Sequence, residues 1–297
     1  MSGPIGLHGG GEYDTGDEPF LEALLAAATH GAAARDRREQ AAEAERIAEE
    51  PVAVGVTGDR HGPSTTSAAL PPRRVDLTAT PASSRGGRPL RIVIVPTAAA
   101  RGLPDRAGSN GRSAFERRAA ARKLLVTVEV ARIVDADSAA DEAEVERLAA
   151  ADLIHLPGGD PDLIPRILAD TRALAAIETA WRGGAVVAGA SAGAMALADW
   201  TWTAHGGIPA LGFVRGIAVV PHYDDVRRTE WRRALDEVAP GGIGYLGLTE
   251  RTGVLAEPDT GSGRCWRVWG PGAALWFARG SDDPVIAHAG EVLPLPE

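Results

Sequence analysis

The sequence predicts an α/β fold, a three-layer sandwich with helices on both faces of a mostly parallel central sheet. Three observations carry this. From Leu90 onward, short runs rich in β-branched residues alternate with helical runs, the pattern of parallel βαβ units. Two glycine-bearing turns, LPGGD and GASAG, each close an apolar strand, where open α/β sheets hold their binding crevice. The composition, 44% hydrophobic and 24% charged over 297 residues, suits an ordinary globular chain with one sizeable core or two small ones.

Taken in order, the first apolar run is Ile5 to Leu7, which stops at HGGGE. EPFLEALLAAATHG then sets Phe20, Leu21, Leu24, Leu25 and Ala28 on one helical face, with Gly31 as the expected stop. Residues 32–50 are Ala, Arg and Glu with Ile47 as the one large apolar side chain, and 57–89 are full of Ser, Thr, Pro, Gly and Arg. Neither stretch has a face to bury. The chain therefore reads as a single α/β domain over 1–297 with a flexible insertion at 32–88.

After the insertion, LRIVIVP is a strand, SAFERRAAARKLL a helix, VTVEVARIVD a strand and DEAEVERLAAA a helix with its acids early. DLIHLPGGD is a strand with a glycine turn, DLIPRILAD and TRALAAIETAWRGG are helices, and AVVAGAS leads as a strand into the helix AGAMALA. From about residue 216 the runs shorten (GIAVVPHYDD, TGVLAEP, CWRVWG, AALWFARG), which predicts an antiparallel extension.

Charge narrows the partners. With 31 Lys plus Arg against 40 Asp plus Glu, the net charge is −9 and no basic block offsets it. Nucleic acid and anionic membranes are thereby disfavoured, and no run of about 18 apolar residues suggests a span. One cysteine, Cys265, forms no internal pair, and the N-terminus carries no basic, apolar leader, so a cytoplasmic location is expected. The seven tryptophans are expected mostly in packing.

GASAG matches the G-x-S-x-G nucleophile elbow, with strand AVVA before it and helix AMALA behind it. Small neighbours, Gly189 and Gly193, are needed because the turn is strained. Ser191 would then stand at the positive end of a helix, and the Ala192 N–H could donate to an oxyanion. The bland alternative is a serine that merely caps that helix. A serine nucleophile needs a base. Of seven histidines, His30 and His61 border or lie in the insertion, His288 is near the tail, and His155 sits inside the apolar DLIHLP. His222 follows the strand IAVVP and stands at a strand end. In LPGGDPDLI, Gly158 and Gly159 admit close backbone approach, Asp160 caps a helix beginning at Pro161, and free N–H groups there could complete an oxyanion hole.

LPGGDPDLI, GASAGAMAL and PHYD, in this order, together with GLHGGGE and IVIVPTA, resemble peptidase family S51, that of dipeptidase E and cyanophycinase. The likeness covers most of the chain outside 32–88. It implies a class I glutamine amidotransferase-like α/β fold and a serine nucleophile cutting peptide bonds next to aspartyl residues. By resemblance, Ser191 is the nucleophile, His222 the base, and Gly159 with Ala192 the oxyanion donors. The family pattern also implies an acid between serine and histidine to orient the imidazole. Here DWTWTAHGGIPALGFVRG holds no carboxylate beyond Asp199, which lies roughly 12 Å further along the helix if that helix persists. Asp224, two residues past His222 and on the same side of an extended segment, is the better candidate.

The expected function is thus serine hydrolysis of a small peptide or amide through an acyl-enzyme, with no cofactor and no metal. Glu12 is a candidate for a substrate amine, Asp160 a second substrate-binding candidate, and Arg101 a candidate for a substrate carboxylate. The partner is the substrate, without nucleic acid or membrane, and a homodimer is left open. An amidotransferase-like binding protein with a degenerate triad is the alternative. A glutamine amidotransferase would need a cysteine nucleophile, which Ser191 at the elbow and Cys265 in a late strand argue against.

Overall fold

The computed structural model describes residues 2–49, 88–224, 235, 237–258 and 264–296. Along the chain run β1 (Ile5–His8), α1 (Glu18–Glu49), β2 (Leu90–Ile94), α2 (Pro104–Ala121), β3 (Val126–Val130), α3 (Glu142–Ala149), β4 (Leu153–Leu156), α4 (Leu163–Leu168), α5 (Arg172–Arg182), β5 (Val186–Ala190) and α6 (Ala192–Leu197). There follow β6 (Trp200–Thr203), β7 (Gly206–Pro209), β8 (Ile217–Val220), β9 (Gly244–Leu248), β10 (Gly253–Pro258), β11 (Arg264–Trp269), β12 (Ala273–Phe277), β13 (Val285–His288) and β14 (Val292–Leu293).

Eight strands build the central sheet in the order β14-β11-β10-β1-β5-β4-β2-β3. The five from β1 to β3 in that order are parallel, as the βαβ reading requires. Strands β10, β11 and β14 continue it antiparallel. Side chains alternate between the faces with the two-residue period of a strand. On β2, Ile92 and Ile94 pack with Phe20, Leu24, Leu25 and Phe115 of α1 and α2, while Val93 joins the opposite layer with Leu168, Ile177 and Val187. The sheet is therefore covered on both faces, which is the three-layer arrangement.

The antiparallel extension is only half of what lies beyond residue 216. TGVLAEP and CWRVWG extend the central sheet as β10 and β11, but IAVV and AALWF belong to a second sheet in the order β13-β12-β9-β8. There β8 runs parallel to β9. The sequence hides β9 because two of its five residues are glycine, which weakens a strand signal. Packing explains them: a Cβ at Gly244 would come within 2.3 Å of the Trp276 ring, and one at Gly247 within 2.6 Å of the Tyr223 ring.

Two helices differ from expectation. The predicted apolar face of α1 is buried at Phe20, Leu21, Leu24, Leu25 and Ala28, yet the helix passes Gly31 and runs to Glu49. Ala, Arg and Glu are strong helix formers and need no buried face to continue a turn already nucleated. Ala32 is buried and Arg35 forms an ion pair with buried Asp152, so the body reaches beyond the expected boundary. The chain divides into a unit of Met1–Asp36 with Pro89–Glu297 and a second unit of Arg37–Arg88. The expected flexibility over 50–87 concerns residues outside those described. Helix α2 begins nine residues before the expected SAFERR run, absorbing PDRAGSNGR. Gly108 and Gly111 are tolerated because they let the helix lie close on Val130 of β3 and Ile94 of β2.

Among the described residues no helix is long and apolar enough to cross a membrane. Of the tryptophans, Trp200, Trp266 and Trp276 are core residues.

Candidate active site

Ser191 leaves β5 at φ 50°, ψ −115°, a left-handed conformation unfavourable for a residue with a Cβ. The turn is held at both ends: the Ser191 N–H donates to the His8 carbonyl of β1 and its carbonyl accepts from Met195. Helix α6 then leaves so close to the sheet that a Cβ on Gly193 would fall 1.9 Å from the Leu156 carbonyl oxygen, and one on Gly189 2.3 Å from Gly193. Small residues around the serine are a packing requirement. The hydroxyl does not cap α6. It lies 2.9 Å from Nε2 of His222.

His222 stands just past β8, also at positive φ (49°). Its N–H donates to the Gly9 carbonyl at 2.7 Å, tying the second sheet to the loop after β1. The ring lies against Gly10, where a Cβ would come within 2.1 Å of it. Its other nitrogen, Nδ1, faces the Glu250 carboxylate at 3.1 Å.

A carboxylate other than the expected Asp224 faces this nitrogen. Asp224 and Glu250 are both exposed, and it is Glu250 Oε1 that lies 3.1 Å from Nδ1. The reason is register. In the parallel pair β8–β9, Val220 lies opposite Gly247, so the residues just after each strand emerge side by side. Asp199 is engaged elsewhere, accepting from the Gly216 N–H at 3.1 Å and facing Arg215. Glu250 was legible only if GYLGLTE had been read as a strand end equivalent to VVPHYD.

The LPGGD turn after β4 flanks the serine. A Cβ on Gly158 would sit 3.1 Å from Ser191 Cβ. The Gly158 N–H donates to Glu12 Oε1 at 2.8 Å, and the Asp160 N–H donates to the Ala98 carbonyl at 2.8 Å. Between them the Gly159 N–H has no acceptor among the described residues, and neither has the Ala192 N–H in the first turn of α6. The Asp160 carboxylate accepts from the Asp162 N–H, capping a turn that becomes helical only at Leu163, and faces exposed Arg101 at 3.9 Å.

Behind the site lies a buried polar chain the sequence did not reveal. His8 Nδ1 accepts from the Gly10 N–H at 3.3 Å and Nε2 meets Asp17 Oδ1 at 2.8 Å; Asp17 Oδ2 accepts from the Tyr13 N–H at 2.9 Å. The Tyr13 phenol reaches His155 Nδ1 at 3.0 Å. Burial, helped by the charges of Glu12 and Asp17, raises the phenol well above its ordinary pKa, so the O–H is the donor. Burial, then the nearby His8, pushes His155 down to about 3, so the ring is a neutral acceptor. His155 is thus a core histidine, packed edge-on against Phe115.

The family model described as Peptidase family S51 matches residues 83–260, well over half of the chain. A peptidase from an acI-B1 Actinobacterium has a similar structure, with a TM-score of 0.65 at 20% identity, covering 99% of this chain and 97% of that one. A candidate peptidase E from Listeria monocytogenes EGD-e is more distant, with a TM-score of 0.42 at 17% identity, covering 68% of this chain and 87% of that one. No functionally curated protein matches the sequence. On the family match, the chain belongs to peptidase family S51.

Proposed function

We propose that this peptidase uses Ser191 as its nucleophile and cleaves a small peptide or amide through an acyl-enzyme. The observation that carries the reading is the hydrogen-bonded series Ser191–His222–Glu250, at 2.9 Å and 3.1 Å. In this reading Ser191 attacks the scissile carbonyl while its proton passes to His222 Nε2. Glu250 accepts the Nδ1–H, fixing the tautomer and stabilising the imidazolium. The oxyanion receives hydrogen bonds from the Gly159 and Ala192 N–H groups. Collapse breaks the C–N bond, and the leaving amine takes the proton from His222. Water, deprotonated by the same imidazole, then hydrolyses the ester and restores Ser191. The family resemblance favours bonds beside aspartyl residues. Against the alternative of a binding protein with a degenerate triad stands the Glu250 carboxylate beside His222 Nδ1. A lone cysteine is compatible with action in a reducing cytoplasm.

A fluorophosphonate probe tests this. Wild type is expected to gain one adduct on the peptide containing Ser191, and Ser191→Ala to gain none. Equal labelling of the two proteins rules out the assignment.

A further inference from the structure

The loop after β1 reaches the proposed base, the residue beside the proposed acid and the proposed oxyanion turn. Its Gly9 carbonyl receives the His222 N–H, its Gly10 carbonyl receives the Arg251 N–H beside Glu250, and Gly10 lies under the imidazole. The loop is itself anchored, through Gly10 N–H to His8 and Tyr13 N–H to Asp17. Between these anchors Glu12 sends its carboxylate to the Gly158 N–H at 2.8 Å. A Cβ on Gly158 would lie 2.9 Å from that oxygen and 3.1 Å from Ser191 Cβ, so carboxylate, glycine turn and nucleophile are packed together.

Resting on the serine-peptidase reading, we propose that Glu12 is a positioning residue that locks the oxyanion-hole turn. By holding the Gly158 N–H, with Ala98 holding the Asp160 N–H on the other side, it leaves the Gly159 N–H as this turn's donor for the substrate oxygen, beside that of Ala192. A negative charge beside a developing oxyanion opposes its formation, so the charge of Glu12 is not what the reaction needs. What Glu12 supplies is an acceptor at a fixed place. This differs from a role in gripping the substrate's amine.

Three variants separate the possibilities through the maximal rate and half-saturating concentration of fluorophosphonate labelling at Ser191. Glu12→Ala removes the acceptor, and Glu12→Asp withdraws it by one methylene while keeping the charge. Both are expected to lower the maximal rate by roughly 10- to 100-fold, a share of what losing an oxyanion donor costs, with little change in half-saturation. Glu12→Gln restores a neutral acceptor of the same length and is expected to recover most of that rate. Wild-type rates in Glu12→Ala, or a Glu12→Gln as slow as Glu12→Ala, overturn the proposal. So does a Glu12→Gln whose half-saturation rises for a diphenyl 1-aminoalkylphosphonate with a free amine but not for its N-acetyl form, because Glu12 would then bind the ammonium. A wild-type protein unlabelled at Ser191 instead overturns the serine-peptidase reading on which the proposal rests.

Discussion

Ser191 and His222 both sit at positive φ, and each is held there by a hydrogen bond to the β1 strand or the loop after it. Two strained non-glycine residues whose side chains meet at 2.9 Å are the kind of feature that surrounding structure must over-determine. The acid is the sharpest residue-scale question. Glu250→Gln keeps the shape but presents an amide to Nδ1, favouring the wrong tautomer. The labelling rate at Ser191, and kcat on any substrate found, are expected to fall by about 10³–10⁴, the order seen when a triad acid becomes an amide, with KM little changed. Asp224→Asn is expected to cost no more than a few-fold. The reverse ranking would return the role to Asp224. The proposed nucleophile, base and oxyanion donors were legible as candidates because they lie in short motifs at strand ends. The acid was not, since hydrogen bonding across parallel strands, rather than nearness in sequence, brings it to the histidine.

At the scale of elements, α1 shows how local preference and tertiary anchoring divide the work. Its first turns are specified by the apolar stripe from Phe20 to Ala28, and the sequence displays that stripe openly. Its passage beyond Gly31 depends on Ala32 meeting the core and on Arg35 meeting Asp152, a carboxylate with no solvent exposure that also accepts from the Arg91 N–H. Arg35→Ala removes the cation facing that carboxylate and is expected to destabilise the fold by roughly 3 kcal/mol. Arg46→Ala, which breaks only an exposed pair with Glu43, is expected to leave the urea midpoint nearly unchanged. Equal midpoints for Arg35→Ala and wild type would show that the pair contributes nothing. No periodicity in residues 32–36 announces this anchor, because its partner lies over a hundred residues away.

For the whole molecule, two sheets end at one place. The carboxyl ends of β1, β4 and β5 supply the loop, the proposed oxyanion turn and the proposed nucleophile, and the ends of β8 and β9 supply the proposed base and its acid. Beneath them lies His155, neutral and packed against Tyr13 and Phe115. Its folded pKa of about 3 lies below the ordinary 6.5, so between these values the unfolded chain binds the extra proton. The stability this gives is present above about pH 6.5 and lost as pH falls toward 3, at up to about 1.4 kcal/mol per pH unit. His155→Gln is expected to lower stability at neutral pH but to flatten its decline on acidification. Urea midpoints for variant and wild type, measured at neutral pH and near pH 5, check this. Parallel declines would mean that His155 is not the group responsible.

The sequence by itself determined the parallel sheet, its helical layers and the serine at the elbow. Each of these is written in a local pattern: two-residue and 3.6-residue periodicity, and small residues where a strand turns sharply into a helix. Tertiary structure alone decided that IAVV and AALWF leave the central sheet, that Glu250 faces His222, and that Glu12 points to Gly158. Those outcomes depend on which strands pair and on which loops then emerge together. Such pairings are chosen by burial summed over the whole chain, for instance by the Trp276 and Tyr223 rings closing over the glycines of β9. No short window of residues contains that sum.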